Sequence, residues 1–129
     1  MQLPKLYRIR RMLNPPVVAD VAAEVKATIR RLPLAGRLKP GGRVAVTGGS
    51  RGVANIATIL RATCDTLKEL GASPFIVPAM GSHGGATAEG QLAVLARYGI
   101  TPASMGVPIL SSMETVEIGR MSWGFPALV

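Results

Sequence analysis

The sequence predicts an α/β domain built from βαβ units around a parallel sheet. Three observations carry that expectation. Short apolar runs at residues 43–47 and 74–77 alternate with longer stretches whose apolar residues recur at helical spacing. Each run empties into a glycine-rich loop, and each loop opens into a helix pattern, the order expected of parallel strands joined by right-handed crossovers. The 129 residues are 48% hydrophobic and 17% charged, which is enough apolar material for a core and too little charge for a disordered chain.

From the start, residues 1–14 mix Leu6, Tyr7, Ile9, Met12 and Leu13 with Lys5, Arg8, Arg10 and Arg11. An arm and an edge strand are both compatible with that pattern. Pro15 and Pro16 suit the first turn of a helix, since proline lacks the amide that a first turn leaves unpaired. Val18, Val21, Ala22, Val25, Ile29 and Leu32 then follow at helical spacing, with Asp20 and Glu24 early and Arg30 and Arg31 late, as the helix dipole favours. Glycines and prolines over residues 33–42 make a connection. Residues 43–47 read as a strand, with Val44, Ala45 and Val46 as a buried run. A second helix, capped by Asn55, carries the stripe Ile56, Ile59, Leu60, Cys64, Leu67 and Leu70, and Gly71 stops it. Residues 74–77 form a second strand. Thr87 caps a third helix reaching about Tyr98, with Leu92, Val94, Leu95 and Tyr98 on its apolar side. Residues 107–110, 115–119 and 124–129 read as further strands. The organisation expected is a basic arm and helix over residues 1–42, then an α/β domain over residues 43–129.

Charge is uneven. Residues 1–43 hold ten Lys/Arg against two Asp/Glu, whereas residues 44–129 hold five of each, so the whole net charge of +8 sits in the first third. Such a segment either docks on an acidic partner, membrane or nucleic acid, or is a solvated flank or a face covered by another part of the protein. The aromatic-rich patterns of nucleic-acid binders are missing, so nucleic acid is not indicated. There is no uninterrupted apolar run of membrane-spanning length and no secretory leader pattern, so no membrane association is expected and the cytoplasm is the expected compartment. The single cysteine, Cys64, excludes an internal disulfide and falls on a helical apolar position, as a small buried hydrophobe would.

Two loops carry the chemistry. Gly48, Gly49, Ser50, Arg51 and Gly52 offer unshielded backbone amides, a hydroxyl and a guanidinium next to a helix start. That combination suits a carboxylate or phosphate. No Gly-Lys-Ser/Thr follows and no Gly-x-Gly-x-x-Gly is present, so neither nucleotide-loop pattern applies. A plain strand-to-helix turn with an exposed arginine is the alternative. Gly81, Ser82, His83, Gly84 and Gly85 hold the only histidine of the chain, a group suited to proton transfer near neutral pH. A hydrogen-bonded surface histidine is the alternative there. One histidine and one cysteine on different elements cannot assemble a tetrahedral metal site, so none is expected within the chain. A Ser-His-Asp triad finds no support either, because Ser82 merely adjoins His83 and no acidic partner is evident; Glu89 suits the helix N-terminus better. If the two strands are neighbours, Arg51 and His83, one βαβ repeat apart, face one crevice at the carboxyl ends of the strands.

At these loops the sequence resembles a branch of the lactate racemase family. The resemblance rests on residues 47–56 (TGGSRGVANI) and 78–91 (PAMGSHGGATAEGQ), continues at residues 106–109 and 112–114, and runs from about Val44 to the end. It implies a longer enzyme of two α/β domains that racemises or epimerises a small 2-hydroxy acid with a nickel-pincer nucleotide tethered to a lysine. By position, His83 matches a proton-transferring histidine, and Gly48, Gly49, Ser50 and Arg51 match the cofactor- and substrate-binding loop. The family's Asp-x-Thr-Arg stands here as Gly48, Gly49, Ser50, Arg51, without the acidic contact, and the arginine that commonly follows the histidine is Gly84. The tethering lysine, the nickel-ligand histidine and the second catalytic histidine find no counterpart. The expectation is therefore an amino-terminal part of an isomerase, truncated and inactive as a racemase until joined to the downstream region. A non-catalytic nucleotide- or phosphate-binding module is the alternative, and an interaction domain with a basic docking segment is a third reading.

Overall fold

The structure, a computed structural model, describes residues 6–34 and 36–128. Expectations falling on residues 1–5 and on Val129 lie outside the described residues. The chain is α/β, and no helix among the described residues is long and apolar enough to cross a membrane.

Residues 6–20 are exposed and pair with no strand. Helix α1 is Val21–Arg31 and begins later than Pro15 and Pro16 led one to expect. Asp20 is the reason: its Oδ1 accepts from the Ala23 amide at 2.9 Å, a stronger N-cap than the proline pair. Pro16 also holds Pro15 extended, and Val18, expected on the apolar stripe, is left exposed. Helix α1 lies against α2, Ile56–Glu69, with Lys26 and Arg30 reaching Glu69 at 3.3 and 2.7 Å.

Strands β1, Arg43–Gly48, and β2, Ser73–Pro78, pair in parallel, with Val46 opposite Ile76 and Gly48 opposite Pro78. Beside β2, the segment expected as a third strand over residues 107–110 contributes a single parallel bridge, Ile76 to Ile109. It is held by Ile76 donating to Pro108 at 2.9 Å and Leu110 donating to Ile76 at 2.8 Å. Pro108 has no amide to extend the ladder, and left-handed Gly106 (φ 61) precedes it. The core gathers Leu60 and Cys64 of α2, Ile76 of β2, Leu95 of α3 (Ala88–Arg97), then Ile100, Met105 and Val107. Met105 closes α4, Pro102–Met105, a short turn with a reciprocal Thr101–Ser104 capping box that sequence periodicity did not reveal.

The expected buried run Val44, Ala45, Val46 alternates instead. Val44 and Val46 are half-buried, whereas Arg43, Ala45 and Thr47 are exposed. The described helices cover the Val46–Ile76 face only, so the other face keeps solvent access and carries the Arg43 guanidinium stacked 4.5 Å from the Phe75 ring centre. The last two expected strands form a separate antiparallel hairpin, β3 (Glu117–Arg120) with β4 (Pro126–Leu128), rather than extending the parallel sheet.

Candidate functional site

Both glycine-rich loops leave the carboxyl ends of neighbouring parallel strands, where the half-open edge of such a sheet receives ligands. The Ala79 amide donates to the Gly48 carbonyl at 2.8 Å and carries the pairing one step past the strand ends. Gly48 is buried, and a Cβ there would stand 3.2 Å from Leu95 Cδ2 and 3.4 Å from Ile76 Cγ2. The first loop therefore starts pressed against the core, and only glycine allows that approach without displacing Leu95.

From Gly48 the chain rises into Gly49 and Ser50, both half-buried, and then into exposed Arg51. Gly49, Ser50, Arg51 and Val53 line one side of an open depression of about 420 Å³, and Ala79, Met80 and Gly81 line the other. The guanidinium of Arg51 has no hydrogen-bond or ion-pair partner among the described residues, so its fork is available to an anion. Asn55 occupies the N-cap position of α2 but makes no side-chain cap bond. The effective caps of this chain, Asp20, Thr87 and Thr101, have extended backbones, whereas Asn55 is left-handed (φ 59, ψ 22), which takes its side chain out of capping geometry. Among the described residues no side chain caps α2; the Ile56 amide turns back to the Val53 carbonyl at 3.2 Å, and the next amides of the first turn present their positive end beside the loop.

The second loop is built for tightness. His83–Ala86 is a kinked, tight segment in which Gly84 (φ 67), Gly85 (φ 69) and Ala86 (φ 53) are all left-handed. Two glycines make this affordable, and Ala86 carries a penalty of about 1–2 kcal/mol in that conformation. The turn is locked to the start of α3. Thr87 Oγ1 accepts from the Gly90 amide at 3.0 Å and donates to the Gly84 carbonyl at 3.2 Å. Gln91, almost fully buried, donates to the Gly81 carbonyl at 2.8 Å. Glu89 lies in the first turn of α3, as expected of an acidic residue at a helix N-terminus.

The two loops meet at one contact: Ser50 Oγ lies 2.6 Å from His83 Nδ1. Arg51 and His83 are thus brought to the same sheet edge, but the residue that touches the histidine is Ser50. Adjacency in the sequence points to Ser82 as the serine partner and not to Ser50. The signal that could have found it is positional, because Ser50 and His83 occupy equivalent loops on neighbouring strands. Tyr98, apolar by its place on the α3 stripe, also reaches this loop: its hydroxyl donates to the Ser50 carbonyl at 3.0 Å. The sequence holds no signal for it, because a helix that starts at the carboxyl edge of a parallel sheet is expected to carry its C-terminal end away from that edge.

Cys64 lies away from this edge, fully buried in the core on α2, and burial pushes its thiol above the ordinary value of 9.0. Among the described residues no group of three or more His, Cys, Asp or Glu is placed to hold a metal ion. Comparison with protein-family models, with curated proteins and with solved structures found no match to this chain.

Proposed function

We propose that this chain forms part of the active site of a lactate-racemase-like isomerase acting on a small 2-hydroxy acid. In this reading His83 is the proton-transferring group, and Gly48, Gly49, Ser50 and Arg51 form the anion-binding loop. The observation that carries it is the 2.6 Å contact between Ser50 and His83, which joins the two loops at the ends of adjacent parallel strands. The resemblance of both loops to that family supplies the reaction class.

The residues present fit the anionic parts of a nickel-pincer nucleotide and of a hydroxy acid rather than the metal. Arg51 offers an unpaired guanidinium at a depression of about 420 Å³, next to uncapped helix amides, and suits a phosphate or carboxylate. When bound, such a cofactor supplies a hydride-accepting ring. The chain's own part is to orient the acid through Arg51 and to take or return the proton of the substrate hydroxyl through the His83 imidazole. The exposed Ile118, Trp123 and Phe125 of the hairpin offer apolar surface to the downstream region that this reading requires. A cytoplasmic setting belongs to the same proposal.

The test is stereochemical. The complete enzyme, loaded with cofactor, is given enantiopure 2-hydroxy acids and the products are resolved by chiral chromatography. Scrambling of at least one acid is expected, with a loss of roughly 10²-fold or more in His83→Ala. Retained stereochemistry across the panel would remove the isomerase reading.

A second reading, a non-catalytic nucleotide- or phosphate-binding module, is favoured by the unpaired Arg51 alone. It predicts that the 129-residue chain binds mononucleotides unaided, with Arg51→Gln weakening binding about 10–100-fold in calorimetry.

A further inference from the structure

We infer that Ser50 is a positioning residue for His83: its hydroxyl oxygen accepts a hydrogen bond from Nδ1–H and leaves Nε2 as the nitrogen that exchanges protons with substrate. The inference rests on the reading of His83 as the proton-transferring group and deepens it.

An exposed imidazole on a loop has two rotatable bonds and two tautomers, and catalysis needs one orientation and one free nitrogen. The structure restrains both. Ser50 Oγ at 2.6 Å from Nδ1 occupies that nitrogen, so Nε2 is the one left for chemistry. The direction of the bond follows from the task, because a ring that must accept a proton at Nε2 carries its own proton on Nδ1, and the serine oxygen is the acceptor beside it. The hydroxyl in turn does not float. Gly48 anchors the start of its loop against Leu95 and Ile76, and the Tyr98 hydroxyl ties the Ser50 carbonyl at 3.0 Å. On the other side, the left-handed turn at Gly84 and Gly85 and the Thr87 bonds fix the backbone that presents His83. A hydroxyl held by its own backbone tether, facing an imidazole held by a rigid turn, is the arrangement of an orienter and a base.

Ser50 also adjoins Arg51 in the chain, so one loop would hold the substrate's carboxylate and set the ring that takes its proton.

The experiment reads the ring directly in the 129-residue chain, by long-range proton–nitrogen correlation spectra of its only histidine. The wild-type neutral ring is expected in the Nδ1–H tautomer. Ser50→Ala is expected to shift it toward the Nε2–H tautomer, and Ser50→Thr, which keeps the hydroxyl, is expected to restore the Nδ1–H form. A wild-type ring in the Nε2–H tautomer, or a Ser50→Ala tautomer ratio identical to wild type, overturns the inference. Backbone amide spectra of the same samples establish that each variant is folded, and Ser50→Gly, which also removes the hydroxyl, carries the comparison if Ser50→Ala is not. The outcome separates from the fate of the isomerase reading. A tautomer shift with no racemisation by the complete enzyme keeps the positioning role and removes the reaction. An unchanged ring alongside an inactive His83→Ala enzyme removes the positioning role and keeps the reaction.

Discussion

Gly90→Ala is the sharpest test of how the histidine loop is built. Gly90 is in the first turn of α3, where alanine would ordinarily stabilise a helix by about 1 kcal/mol. Here the added Cβ would fall inside the van der Waals envelope of the Gly84 carbonyl oxygen, with the Gly84 carbonyl carbon and Thr87 Oγ1 (2.8 Å) also too close. The obstruction is backbone, so no side-chain rotation relieves it, and the turn or the helix must retreat by more than an ångström. Overpacking of this kind costs about 1–3 kcal/mol. Retreat also breaks the Thr87 bridge between the Gly90 amide and the Gly84 carbonyl, worth about 1 kcal/mol as a helix cap. After the helix-propensity gain is returned, the net loss is about 2 kcal/mol, or a fall of about 6–10 °C in melting temperature for a chain of this size. Thermal unfolding followed by circular dichroism measures it. Gly49→Ala is the control, since nothing lies within 4 Å of a Cβ there and its backbone is not left-handed; its melting point should match wild type. A Gly90→Ala protein that melts at or above the wild-type temperature would refute the proposed lock between the turn and α3.

Cys64 should be inert toward a thiol-specific disulfide reagent in the native protein and react fully in denaturant, because burial both hides the sulfur and raises its pKa; rapid native labelling would contradict the packing of α2. The Glu69 carboxyl is held below its ordinary value of 4.5 by hydrogen bonds from Arg30 and then Lys26. A depressed carboxylate adds stability above its unfolded value and loses it as pH falls through the folded value. The attachment of α1 to α2 should therefore be complete above about pH 4.5 and loosen in more acidic solution, seen as faster amide exchange in α1 than in α2. Glu69→Gln should flatten that dependence, and because the group is exposed, added salt should weaken it in the wild type.

What the sequence revealed and what it hid divide along a physical line. Periodicity reports which side of a helix is apolar, and Leu60, Cys64 and Leu67 are indeed buried on α2. Turn chemistry reports where a chain must bend, so both glycine loops and the Thr87 cap were legible. Neither reports how many layers cover a sheet. Val44, Ala45 and Val46 look alike to any hydropathy pattern, yet Ala45 faces solvent because the described helices cover only the other face. Backbone sign is equally hidden, since Asn55 is a good cap by composition and a left-handed residue in fact. The Ser50–His83 contact joins residues 33 apart through side-chain geometry, and no local pattern encodes that. The topology alone placed their loops side by side.

The arrangement of tethers shows why that contact can persist on two exposed loops. Each loop is fastened to the same element. Tyr98, at the C-terminal end of α3, holds the Ser50 carbonyl; Gln91, in its second turn, holds the Gly81 carbonyl; Gly90 abuts Gly84; and Leu95 fills the space beside Gly48. Helix α3 therefore acts as a common strut under serine and histidine. A motion of α3 relative to the sheet carries both loops together and leaves their separation nearly unchanged, whereas loops anchored on different helices would drift apart with every such fluctuation. Leu95, fully buried, ties the strut to Ile76 and so to the strand from which the histidine loop emerges. Preorganisation of the pair thus comes from a shared support in the core rather than from contacts made at the site itself.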